Sequence, residues 1–105
     1  MDPIEFIYDC EGFEWDKGNI DKNKKHDVED KEAEEVFFDK KKIVFRDSLH
    51  SEFEARFISI GKTRKGRLLY TAYTKRGGKI RIISARSVNK KEVYIYEKKA
   101  KTAKV

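Results

Sequence analysis

Arginines are the residues of this chain best suited to chemistry. Arg56, Arg67, Arg81 and Arg86 lie on or beside segments rich in β-branched residues, and Arg64 and Arg76 fall in the connections between those segments. An arginine flanked by Ile80, Ile82 and Ile83 adds nothing to strand propensity, so its guanidinium must find an anion or reach solvent. Two accounts stay open. Each arginine can pair with Glu54, Glu92 or the acidic run around Glu34, or several can converge on phosphate, whose oxygens a planar guanidinium grips with two parallel hydrogen bonds. Strict alternation puts Arg81 and Arg86 on opposite sides of one strand, so they share a face only if the strand bulges or ends between them.

Phosphate chemistry without a metal would be attack of a ribose 2′-hydroxyl on its own phosphodiester. It needs a base for that hydroxyl, cations for the pentacoordinate phosphate and an acid for the departing 5′-oxygen. Arginines suit the second role, and His26, Glu54 or His50 suit the other two, histidine because it titrates near neutrality. His26 reads equally as a hydrogen-bonded loop residue. Trp15, Tyr70, Tyr73, Tyr94 and Tyr96 offer rings on which unpaired bases can stack, Tyr73 above all because Lys75 and Arg76 follow it; packing in the core is their other use.

Other reaction classes find no anchor. There is no phosphate-binding Gly-rich loop, no Gly-x-Ser-x-Gly elbow, no His-Glu-x-x-His pair and no calcium loop. Two histidines and the single Cys10 supply neither a zinc site nor an internal disulfide, so no metal or cofactor is expected, and Cys10 reads as a part-buried apolar residue.

The 105 residues are 42% charged and 38% apolar, which fits one domain with a modest core. No run is apolar enough to span a membrane and the start lacks a signal-peptide layout, so the expected location is the cytoplasm. The net charge of +6 is unevenly held: residues 1–50 sum to −6 and residues 51–105 to +12. A basic half of that size suits a polyanion, most often nucleic acid, although an acidic protein would also answer.

The elements that would position these residues follow from local pattern. A strand is expected within Ile4–Tyr8 and Phe13–Trp15, and a short solvated helix over Lys17–Lys25 with Asp16 as its N-cap. Ala33, Val36 and Phe37 mark one face of a second helix beginning at Asp30. Strands are expected at Ile43–Phe45, Arg56–Ile60, Arg67–Thr74 and Lys79–Ala85, the last three joined by glycine-containing hairpins into an antiparallel meander. The Asn89-x-x-Glu92 capping box starts a final helix carrying Val93, Tyr96 and Ala100, and the tail from Lys98 should fray. The fold class is α+β: two helices, a four- to five-stranded, mainly antiparallel sheet and a C-terminal helix, in two layers with one sheet face free for a partner.

Taken in order, the strings Phe13-Glu14-Trp15-Asp16, Lys24-Lys25-His26, Glu54-Ala55-Arg56-Phe57, Gly66-Arg67-Leu68-Leu69, Tyr73-Thr74, Arg76-Gly77 and Ile80-Arg81-Ile82-Ile83-Ser84-Ala85-Arg86 resemble the BrnT toxin family over about residues 13–99. The resemblance implies a RelE-like fold in one domain spanning residues 1–105. It also implies a ribonuclease toxin of a type II toxin–antitoxin module that arrests translation. The implied partner is a BrnA-type ribbon-helix-helix antitoxin, with operator DNA bound only through the complex. On matching positions it implies His26, Glu54, Arg56, Arg67, Tyr73, Arg81 and Arg86 as site residues. His26, Glu54, Arg67, Arg81 and Arg86 are the expected catalytic residues, and Arg56 and Tyr73, with Lys75 and Arg76 of the basic connection beside Tyr73, the expected RNA-binding ones. The chain departs from the family pattern at Asp27, where glycine is usual, and at Lys31, where an aromatic is usual. A non-catalytic basic module that binds nucleic acid or an acidic protein, and an inactive structural subunit, are the competing readings.

Overall fold

Residues 11 to 102 are described by a computed structural model of the chain, which leaves the expected Ile4–Tyr8 strand and Cys10 outside the described residues. Helix α1 is Asp30–Glu35, and it tightens into a 3-10 turn at Val36–Phe38. Four strands follow: β1 Ile43–Arg46, β2 Arg56–Lys62, β3 Leu68–Arg76 and β4 Lys79–Ser87, and α2 is Lys90–Thr102. The strands form one sheet in the order β1-β2-β3-β4, antiparallel throughout. Gly77 and Gly78, both with positive φ, make the tight β3–β4 connection that a side chain at either position would strain.

Alternation is broken once. Ala72 pairs with Ser84 but the next residue, Tyr73, pairs with Ile82, so Ile83 is an extra residue in β4. The bulge keeps Ile80, Ile82 and Ala85 in the core beneath α1, together with Val28, Ala33, Val36, Phe37, Leu69 and Tyr73. It also turns Arg81 and Arg86 to the same, opposite face. Gly61 belongs to the tight packing under α1, because a Cβ there would sit 2.9 Å from the Val36 carbonyl oxygen.

The helices divide between the two faces instead of covering one. Tyr96 of α2 packs on Ile43 and Ile60 from the side opposite α1, with Leu68, Tyr70 and Val88 around it. Its buried hydroxyl donates to Asp39 Oδ2 at 2.7 Å, and burial together with that carboxylate pushes the phenol well above its ordinary range. The two-layer expectation therefore holds only for the part of the sheet beyond α2, where Arg56, Thr74 and Ile83 are overhung by the 3-10 turn Ser48–His50 of the β1–β2 connection and not by an α-helix. The α2 helix opens with the expected capping box, Asn89 Oδ1 accepting from Glu92 N at 2.9 Å and Glu92 Oε1 from Asn89 N at 3.0 Å. Helical backbone continues to Thr102, past the point where fraying was expected.

The helix expected over Lys17–Lys25 does not form. Asp16 caps a turn through Gly18 N, Asp21 takes a left-handed conformation with φ 58°, and only a 3-10 turn at Lys22–His26 follows, closed by a second left-handed residue, Asp27. Local chemistry explains this, because the asparagines of the segment bond sideways to the sheet. Asn19 Nδ2 donates to the Ile82 carbonyl and Asn23 Oδ1 accepts from Ala85 N, each at 2.9 Å. Just upstream, the expected Phe13–Trp15 strand is a single parallel bridge in which Ile80 N donates to Gly12 O and Glu14 N to Ile80 O. The outer edge of β4 is thus covered along most of its length. Asn23→Ala leaves the Ala85 N–H buried without its acceptor, and the expected cost is about 1–3 kcal/mol. A thermal midpoint unchanged from wild type would contradict this.

Candidate active site

On the part of the α2 face beyond that helix, the β1–β2 connection overhangs a cleft of about 330 Å³. Its rim is Leu49, His50, Glu52, Phe53 and Glu54, and its floor is Arg56, Thr74 and Ile83. A polar frame holds the connection in place. Asp47 N donates to Arg56 O at 2.8 Å, Arg56 N to Ser51 Oγ at 3.0 Å, and Ser51 Oγ to Asp47 O at 2.6 Å. His50 Nδ1 lies 2.9 Å from Asp47 Oδ2, which fixes the ring and leaves Nε2 as its second polar atom.

Arg56 differs from the other candidate arginines of the strands and from Arg76, while Arg64, in the β2–β3 connection, bonds among the described residues only through its backbone N–H, to Glu35 Oε1. The Arg56 Nε is buried with no hydrogen-bond partner, and the one ion pair of Arg56 among the described residues is a loose 3.7 Å contact with Asp47. The others are engaged. Arg76 makes a two-pronged contact with Glu54 at 2.7 and 3.0 Å. Arg81 reaches Glu14 at 2.9 Å and both oxygens of Asp16 at 2.8 and 2.9 Å. Arg86 grips Glu92 with two 2.8 Å bonds and stacks over the Tyr70 ring at 4.1 Å. For these three the carboxylate-pairing account describes the free protein.

Those partners are held as anions. The Arg76 guanidinium keeps Glu54 below the usual carboxylate range, and Arg81, with Gly18 N–H, does the same for Asp16. Burial pushes Glu92 up, but the hydrogen bonds from Arg86 and Asn89 N outweigh it and the net shift is downward. A carboxyl lowered on folding adds stability above its unfolded value, here 4.5, and loses it as pH falls through the folded value. Glu92→Gln, which keeps the helix cap, is expected to cost about 1–2 kcal/mol at pH 7 and to flatten the acid limb of the stability curve. Superimposable pH profiles for variant and wild type would contradict it.

The sequence candidates do not gather into one site. Arg56, Glu54, Arg76 and Arg81 lie together at the β2 start and β3 end, and Lys75 is exposed on the same hairpin. Arg86 shares their sheet face, but several strand residues away. Arg67 stands at the far end of β3, where it donates to Asp27 O at 2.6 Å and to Ser87 Oγ at 2.7 Å. The nine residues of β3 put it roughly 30 Å from Arg76, at about 3.4 Å per residue. His26 is exposed beside Arg67, whose Nη2 lies 3.5 Å from its carbonyl, so it cannot exchange protons with groups around Glu54. Tyr73 is a correction: it is fully buried, its ring edge-on to Phe37 at 4.9 Å and tilted over Phe57 at 5.6 Å, and offers no surface for a base.

Asp47, Ser51 and Thr74 were not singled out from sequence. Asp47-x-x-His50 has the spacing of neighbours on a helical turn and could have flagged the first; Thr74 declares itself only through the register with Arg56 and Arg81. Asp27 takes φ 58°, which explains physically why glycine suits that position. Among the described residues no three His, Cys, Asp or Glu side chains form a metal-ligating group, and no helix is long and apolar enough to cross a membrane.

Fold and cleft define a small α+β domain that presents an arginine floor, a carboxylate and a histidine on an open sheet face, a layout for an anionic substrate. The chain belongs to the family described as the ribonuclease toxin BrnT of type II toxin–antitoxin systems, whose model matches residues 15–92. It is therefore a ribonuclease toxin with an antitoxin as partner. No curated relative matches the chain.

Proposed function

We propose that the cleft over Arg56 is the ribonuclease site, and that it cleaves RNA without a metal and so arrests translation. The observation that carries this is the Arg56 guanidinium, a partly exposed cation on the cleft floor that makes no side-chain hydrogen bond to a described residue and whose terminal N–H groups are left for a ligand. Such donors are satisfied by an anion with several acceptor oxygens, and a phosphodiester is one. Arg56 binds the scissile phosphate, and Arg76 and Arg81 lie close enough to add charge if phosphate displaces their carboxylates. Glu54, ionised and on the rim, accepts the proton of the 2′-hydroxyl. His50, oriented by Asp47, gives a proton to the departing 5′-oxygen. The 2′-O–P bond forms as the P–O5′ bond breaks, leaving a 2′,3′-cyclic phosphate and a 5′-hydroxyl. His26 and Arg67 take no part in this step, and Arg86 acts through Glu92 as a structural pair. The family resemblance supports a BrnA-type ribbon-helix-helix antitoxin, with operator DNA contacted through the complex.

The test is incubation of purified protein with an end-labelled RNA in excess chelator. Cleavage to 2′,3′-cyclic phosphate ends is the expected result. RNA that survives chelator and is cut when magnesium is restored would overturn the metal-free reaction.

A further inference from the structure

The two edges of the sheet are treated differently. Along β4 the backbone meets Gly12, Glu14, Asn19 and Asn23. Strand β1 pairs only with β2, and among the described residues no other strand pairs with its outer side. Because Asp47 N donates inward to Arg56 O, alternation turns the N–H and C=O groups of Phe45 inward too and those of Val44 and Arg46 outward. An open edge is a template for another strand, and proteins usually blunt it. Here it is apolar instead: Val44 and Phe45 are 38% and 43% exposed, and Leu49 and Phe53, just beyond, are 88% and 96% exposed.

We infer that the β1 edge is the docking site of an extended, acidic segment of the antitoxin, which adds a fifth strand to the sheet. The inference rests on the antitoxin partnership that family membership establishes. Charge selects the acidic occupant. Lys40, Lys41 and Arg46 are exposed around β1, and none of them makes an ion pair with a described residue. A second copy would bring the same cations against each other, whereas a strand with glutamates or aspartates on the Val44–Arg46 face alternating with apolar residues on the opposite, Phe45 face satisfies both Arg46 and the exposed Phe45 ring. The position also links binding to inhibition. Leu49 and Phe53 belong both to the exposed apolar surface and to the rim of the cleft over Arg56, so a strand continuing past Arg46 roofs that cleft.

The experiment is hydrogen exchange on the free protein and on its complex with the antitoxin expressed from the adjoining reading frame. In the complex the amides of Val44 and Arg46 should exchange roughly a hundredfold more slowly or less, as newly bonded strand amides do, while free protein leaves them fast. Val44→Pro removes an outward N–H without touching the β1–β2 ladder, and should weaken the complex by roughly tenfold or more with RNA cleavage retained. Arg46→Glu, which leaves the backbone intact, should weaken it and reduce its salt dependence, so a misfolded proline variant does not decide the matter. A complex in which Val44 and Arg46 exchange as in the free protein, with Arg46→Glu binding like wild type, overturns the edge assignment but leaves the partnership standing. Wild-type protein that forms no complex overturns both. A free dimer with these amides already protected assigns the edge to a second copy instead.

Discussion

Arg56→Ala is expected to slow RNA cleavage by roughly 10²–10³-fold, the loss found when one fixed donor to a transition-state anion is removed. The thermal midpoint should stay within a few degrees of wild type. Activity and stability separate here because of what the side chain touches. Arg56 contributes one 3.7 Å ion pair, and its removal leaves Asp47 with His50 and leaves the Ser51 frame, which uses Arg56 backbone atoms, unchanged. Arg56→Lys restores the charge but not the fork, so partial recovery is expected. Removing Arg86 makes an instructive contrast. Glu92 would lose two 2.8 Å bonds and Tyr70 its stacked cation, so any activity loss would come with lost stability. Cleavage at the wild-type rate by a folded Arg56→Ala protein would remove the cleft from the mechanism.

The sequence identified the right kind of residue more readily than its neighbourhood. That strand arginines need anions was legible at Arg81, and so was the condition on sharing a face with Arg86, a bulge between them. Which residue would bulge was not, since Ile80, Ile82 and Ile83 are alike locally and the choice is made by packing Ile82 against Tyr73 under α1. The carboxylates that occupy Arg81 come from Glu14 and Asp16, more than sixty residues upstream. No local pattern reports a contact of that kind. The separation of His26 from Glu54 is likewise a property of the sheet, because the hairpins send the two ends of β3 in opposite directions.

Among the elements, those with strong periodicity or turn chemistry were legible: the β2–β3–β4 meander, the Ala33–Val36–Phe37 face and the Asn89–Glu92 cap. Lys17–Lys25 misled because its composition permits a helix while its asparagines have stronger long-range uses. A buried asparagine that satisfies a sheet-edge amide or carbonyl competes directly with helical backbone bonding, and here the sheet wins. The tail of the last helix went the other way, remaining helical to Thr102 although little in its sequence asks to be buried.

Tyr73→Ala is expected to cost about 3–5 kcal/mol, a large share of the 5–15 kcal/mol typical of a whole domain. At about 4–8 °C per kcal/mol for a domain near this size, the midpoint should fall by roughly 20 °C or the variant should fail to fold. The ring is 0% exposed and fills the space between Phe37 of the 3-10 turn and Phe57 of β2, so its loss opens a cavity where the turn after α1 meets the sheet. Tyr73→Phe keeps both ring contacts and should cost about 1 kcal/mol or less. The pair of variants separates the two uses a tyrosine beside Lys75 and Arg76 suggests. A base-stacking tyrosine would lose RNA affinity on truncation to alanine while the protein stayed as stable as before; a core tyrosine loses stability first, and RNA affinity only in proportion to the unfolded fraction. Denaturant unfolding of both variants decides this, and a Tyr73→Ala protein of wild-type stability would require the ring to leave the core when RNA binds.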